Sequence, residues 1–167
     1  MLPAAKENVD IQVGIADYKI ARVPIMLITL GLGSCVGVSL YDPVSKLGGL
    51  LHVMLPDSTQ FQNVNRPAKF ADLGIPLIIK EMQKMGAVIS RLQAKLVGGA
   101  QMFSGFDEKM NLKIGQRNIE KSRLMLKELN IRVLSEEVGG NCGRTMTLNT
   151  LNGEVAIRTL GNKLKVI

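Results

Sequence analysis

Residues 29–56 read TLGLGSCVGVSLYDPVSKLGGLLHVMLP, and the fold turns on where this stretch bends. Two apolar runs flank Asp42-Pro43. Asp42 suits the first position of a type I turn, and Pro43, with its fixed φ, suits the second. The stretch therefore predicts a β-hairpin centred between Pro43 and Val44. In an antiparallel pair with that centre, Cys35 stands directly opposite His52, the only histidine in the chain. Opposed residues share one face of the sheet with Cβ atoms roughly 4.5–5.5 Å apart. A thiol and an imidazole would then meet without help from the rest of the fold. A one-residue bulge would instead put them on opposite faces.

Outward from the hairpin, Ile11, Val13 and Ile15 alternate with polar or small residues and predict a half-buried strand. Ile25 to Leu30 is nearly continuous in apolar residues and predicts a strand buried on both faces. Gly31 and Gly33 make a low-bulk passage into Ser34 and Cys35, and Asp57 to Asn65 has no periodicity and predicts a loop. Pro67 to Met85 is helical in pattern through Phe70, Leu73, Leu77, Ile78, Met82 and Met85, with Gly86 as its stop and Pro76 as a kink or break. Leu92 to Val97 reads as a strand, Lys113 to Leu129 as a second long helix capped by Asn111, and Ile131 to Val138 as a strand. Arg144 to Asn149 and Glu154 to Thr159 form a hairpin around Asn152-Gly153. The sum is α+β: a mixed, largely antiparallel sheet system with two long helices, in a single domain over residues 1–167.

Composition narrows the function. No apolar run approaches the ~20 residues a membrane helix needs, and Met1 to Asp10 lacks the apolar core of a signal peptide, so a cytoplasmic protein without an integral membrane segment is expected. The two cysteines, Cys35 and Cys142, are not expected to pair in a reducing compartment. Two cysteines and one histidine, with no Cys-X-X-Cys pair, are too few soft ligands for zinc, so neither metal nor cofactor is expected. The net charge of +7 raises nucleic acid as a partner, but 4% aromatic residues and no Trp leave nothing to stack bases. An acidic protein partner fits that charge better.

Cys35 with His52 suggests nucleophilic chemistry. A free thiol has a pKa of about 8.5, and a neighbouring imidazole can take its proton to leave a thiolate–imidazolium pair. The absence of bulk at Gly31 and Gly33 would let a substrate carbonyl approach, with amides around Ser34 and Cys35 to hold an oxyanion. No carboxylate occupies a strand position from which to orient His52, but the Thr29 hydroxyl can accept a hydrogen bond from the ring. Plainer readings stand beside these. A buried cysteine is often an inert small hydrophobe, a lone histidine in an apolar strand a satisfied core residue, and Thr29 a β-former. Cys142, in a glycine-rich loop, reads as incidental.

Thr29-Leu30-Gly31-Leu32-Gly33-Ser34-Cys35-Val36, followed by His52-Val53-Met54-Leu55-Pro56-Asp57-Ser58, closely resembles the chemoreceptor glutamine deamidase family, CheD. The likeness continues through Lys84-Met85-Gly86-Ala87, Gly98-Gly99-Ala100 with Met102-Phe103, Ile114-Gly115 with Arg117-Asn118, and Gly139-Gly140-Asn141. The resemblance implies a catalytic set of Cys35, His52 and Thr29, which stand at the family's spacing. It implies hydrolysis of selected glutamine side chains on chemoreceptor cytoplasmic helices to glutamate, through a thioester. It also implies binding of the phosphatase CheC, blocking the deamidase site while raising CheC activity towards phosphorylated CheY. The fold implied is a β-sandwich flanked by the two helices, like that of the deamidating cytotoxic necrotising factors. Two alternatives remain at this point: a regulatory partner of CheC with little catalysis, and a cysteine amidohydrolase or peptidase of another substrate.

Overall fold

Every residue of β4 (Val36–Asp42) and β5 (Leu47–Val53) is buried, which puts this hairpin in the middle of the molecule. The computed structural model describes residues 9–102, 113–161 and 163–167. The other strands are β1 (Val9–Gln12), β2 (Tyr18–Arg22), β3 (Ile25–Leu32), β6 (Gln93–Gly98), β7 (Arg132–Val138), β8 (Arg144–Asn149), β9 (Val155–Thr159) and β10 (Leu164–Val166). The helices are α1 (Ala71–Lys84) and α2 (Ile114–Glu128). One sheet has the order β1-β3-β8-β9-β10 and the other β2-β5-β4-β6-β7. Each is mixed, with one parallel pair, β1 with β3 and β6 with β7, and antiparallel pairs elsewhere.

Alternation along the hairpin assigns two cores. Val36, Val38, Leu40, Leu51 and Val53 face the helices and pack with Ile75, Ile78, Met82, Ile119 and Leu126. Leu50 faces the other sheet, where Leu27, Leu32, Met146, Leu148 and Ile157 complete a second core. Glycine keeps both contacts close. A Cβ on Gly48 would lie 2.9 Å from Thr150, and one on Gly49 2.8 Å from the Met82 sulfur on the opposite face. The molecule is thus layered sheet, sheet, helices.

The two described α-helices that flank the sandwich lie together on one face, that of the β5–β4 sheet. Several expectations need correction. β3 is buried on one face only: Leu27 and Thr29 are buried while Leu30 is exposed, because no described helix covers the outer side of its sheet. The helical stretch breaks at Phe70, whose backbone is extended, and runs unbroken through Pro76. Its buried stripe is Ala71, Gly74, Ile75, Ile78, Ile79 and Met82, so Leu73 and Met85 point outward. The first strand ends at Gln12, and the edge strands β2 and β10 were not anticipated. The proposed cap Asn111 lies outside the described residues, and Lys113 occupies the cap position in a left-handed conformation.

The central turn holds four residues, Pro43 to Lys46, rather than two. Asp42 explains this. Its Oδ1 accepts the amides of Val44 (3.0 Å) and Ser45 (3.3 Å), and Lys46 closes the turn at φ 52°. The carboxylate is fully buried and also accepts the Val88 amide at 3.1 Å and an Arg91 guanidinium nitrogen at 2.7 Å. Burial alone would raise its pKa, but Arg91 and these amides outweigh burial and hold the carboxyl well below the usual carboxylate range. Asp42→Ala strands those donors, and a loss of about 3 kcal/mol in urea unfolding is expected.

Candidate active site

The longer turn resets the ladder. Gly37 now faces His52, and Val36 faces Val53. Cys35 lies just before the first paired residue and has no partner on β5, so the direct Cys35–His52 pairing expected from a two-residue turn does not form. The displacement is two residues and leaves the faces unchanged. His52 projects between the sheets on the side of Gly37, which has no side chain to compete for the space. Cys35, half-buried, packs against the same inter-sheet core.

His52 is fully buried, as is Thr29 on the facing sheet. The Thr29 Oγ1 lies 2.7 Å from His52 Nδ1 and 2.8 Å from the Val13 carbonyl oxygen. A hydroxyl has one hydrogen, and a carbonyl can only accept, so Thr29 donates to Val13 and accepts from Nδ1–H. That fixes the tautomer. Nε2 carries the lone pair, and it is buried with no hydrogen-bond partner among the described residues. The segment after β1 holds this arrangement in place, with Val13 N donating to Ile28 O (2.7 Å) and Ala16 N to His52 O (3.1 Å).

Burial depresses the His52 pKa to about 4, so the ring is neutral at pH 7. Burial pushes the Cys35 thiol up, only partly offset by its own backbone N–H. Both groups are therefore neutral at pH 7, one as a thiol and the other as an imidazole. Burial of both groups works against the standing thiolate–imidazolium pair expected from sequence.

The loop carrying Cys35 leaves β3 through a bulge. The ladder with β8 shifts between Thr29 and Leu32, and Gly31 there has φ 68°, a left-handed value that glycine adopts without strain. Three carbonyls then pin the loop. Gly33 O accepts from Ala100 N (2.7 Å), Cys35 O from Gly99 N (2.8 Å) and Ser34 O from Asn118 Nδ2 (2.9 Å). The Gly33 amide is bonded to Gly31 O at 3.0 Å, so Gly33 offers no free donor to an oxyanion. A Cβ at Gly33 would sit 3.2 Å from Met102, which packs closely over the loop there. The Ser34 and Cys35 amides have no backbone acceptor among the described residues, the Cys35 N–H being turned to its own sulfur. Cys142 is exposed and bonded to its neighbour Asn141.

Asn118 was not singled out from sequence as a site residue. It is fully buried on α2, and its Nδ2 donates both to Ser34 O, beside the cysteine, and to Met54 O at 3.0 Å, just past the histidine. Two carbonyl acceptors fix the amide orientation. The available signal was a polar residue within the buried stripe of Gly115, Ile119, Ser122 and Leu126.

The sequence profile of the family described as CheD chemotactic sensory transduction matches residues 54–159. A Desulforamulus reducens protein named "Probable chemoreceptor glutamine deamidase CheD" is 65% identical over 98% of each chain. Proteins of the same name from Clostridium acetobutylicum and Clostridium tetani are each 54% identical, covering 97% and 95% of this chain and 98% and 96% of their own. A solved structure, the Bacillus licheniformis hypothetical protein YfiH, aligns with 72% of this chain and 49% of its own, at TM-score 0.45 and 19% identity. That last likeness is too slight to bear on fold or function.

Proposed function

The chain belongs to the CheD family, and from that premise we propose that it is a cytoplasmic protein-glutamine deamidase converting glutamine side chains of chemoreceptors to glutamate. The observation that carries the mechanism is the bare, buried Nε2 of the only histidine, held in that state by Thr29 through Nδ1. The Cys35 sulfur attacks the carboxamide carbon as its proton passes to His52 Nε2. The Ser34 and Cys35 amides donate to the oxyanion. His52 then returns the proton to the nitrogen, the C–N bond breaks and ammonia leaves a thioester. A water that gives its proton to His52 adds to the thioester, and the thiol departs reprotonated with glutamate as product.

Thr29 orients the ring and stabilises little charge, since a hydroxyl is a weaker electrostatic partner than a carboxylate. Kinship with the cytotoxic necrotising factor fold belongs to the same reading, as does binding and stimulation of CheC, which rests on the family resemblance. If Cys35→Ala still stimulates CheC, the two roles are separable.

The deciding experiment incubates the protein with a chemoreceptor cytoplasmic fragment and reads it by mass spectrometry. A gain of about 1 Da per target glutamine supports the hydrolysis. Backbone cleavage would mark a peptidase, and an unchanged fragment would sink the deamidase reading.

Asn118 is a positioning residue in this scheme, because one amide ties the nucleophile loop to the strand of the base. Asn118→Ala is expected to lower kcat about 100-fold with little change in KM, the pattern of lost alignment rather than lost binding. Asn118→Asp, which keeps the shape but turns an acceptor towards two carbonyls, should do no better. Full activity in either variant would remove Asn118 from the site.

A further inference from the structure

The outer face of the β1-β3-β8-β9-β10 sheet is uncovered by any described helix, yet it is not polar. Register places Thr145, Arg158 and Leu164 in one row across three strands, and Leu30 of β3 lines the same face. A trough of about 520 Å³ runs over this row and over Ile28 beside it. At its upper end it shares Thr145 and Arg158 with a second hollow of about 400 Å³, walled by Gly31, Met102 and Arg144. That end adjoins the candidate active site. Leu30 follows Thr29 directly, Gly31 O holds the Gly33 amide, and Met102 packs over Gly33.

Two properties say what fits. Leu30, Met102 and Leu164 expose 49%, 43% and 62% of their surface, an apolar display that monomer surfaces seldom carry without a partner. Arg158 is exposed in the middle of the trough and has no ion-pair partner among the described residues. Arg144 walls the second hollow but is buried and already paired, with Glu137 and the Gly139 carbonyl, so the free charge is that of Arg158.

Resting on the deamidase reading, we infer that this trough docks an acidic, amphipathic segment of the chemoreceptor next to the target glutamine. Apolar side chains of that segment lie on Ile28, Leu30 and Leu164, and a carboxylate lies against Arg158. Recognition beyond the glutamine itself then resides on a sheet face, not in the helices.

The test is fluorescence anisotropy with a labelled chemoreceptor cytoplasmic fragment, which needs no turnover. Arg158→Glu and Leu164→Asp are each expected to raise Kd at least tenfold, while Arg158→Lys stays within about threefold. Arg132→Glu, an equal charge change on exposed β7, should leave Kd within twofold. Unchanged binding by both trough variants would overturn the inference. So would equal weakening by Arg132→Glu, which would reduce the effect to net charge, or failure of the unaltered protein to bind the fragment. Trough-dependent binding with no mass change in the fragment would defeat the deamidase reading and leave the docking face standing.

Discussion

Cys35→Ala is expected to reduce deamidation of a chemoreceptor fragment by about 10⁴-fold or more, because the covalent route has no other nucleophile to use. Cys142 is exposed and bonded to Asn141, whereas Cys35 packs against the inter-sheet core. The substitution should leave the fold intact. Cys35 is half-buried at the mouth of the inter-sheet core, and its loop is held by the carbonyls of Gly33, Ser34 and Cys35 rather than by the sulfur. Near-ultraviolet circular dichroism and urea midpoint should match the parent. Retained turnover in Cys35→Ala would remove the thioester from the mechanism.

His52→Gln is expected to cost about 10³-fold in kcat, within the range for loss of one general acid–base group. Its residual rate should climb with pH, as hydroxide generates the thiolate that the imidazole no longer helps to form. The parent should instead hold its rate over most of that range and lose it only at acid pH. With the His52 pKa depressed to about 4, its base stays unprotonated well below pH 6.5, and the acid limb of kcat/KM should fall closer to pH 4. Stability follows the same group. Between pH 6.5 and 4 the unfolded chain binds a proton at His52 that the folded chain refuses. Stability from this residue is therefore complete above pH 6.5 and declines as pH falls, by up to about 1.4 kcal/mol per pH unit. His52→Gln should flatten that part of the profile.

How much of this was legible in the sequence depended on what each residue had to do. The central hairpin was readable because Asp42-Pro43 announces a turn through backbone chemistry that acts locally. Its length was not, because Asp42 spends its carboxylate on Val44, Ser45, Val88 and Arg91 together, and the last two are distant in sequence. The register moved by two residues and not by one, so His52 kept its face. The phase of α1 was misread for another reason. One close contact uses Gly74 against Ala68, with 3.2 Å from a notional Cβ to the Ala68 Cα, and small residues send no hydrophobic signal. β2 and β10 are short edge strands rich in charge, which periodicity does not detect. Thr29 and His52 came to attention as residues able to share a hydrogen bond. Their shared tautomer depends on the Val13 carbonyl, which no side-chain pattern encodes. Asn118 was obscure for the same reason, since its partners are backbone oxygens of two other segments.

The chain has a single histidine, so nitrogen NMR of isotope-labelled protein reads the central feature without assignment ambiguity. At pH 7 the account predicts a neutral ring with its proton on Nδ1 and a bare Nε2, titrating near pH 4. A proton resident on Nε2, or an imidazolium persisting at neutral pH, would contradict it.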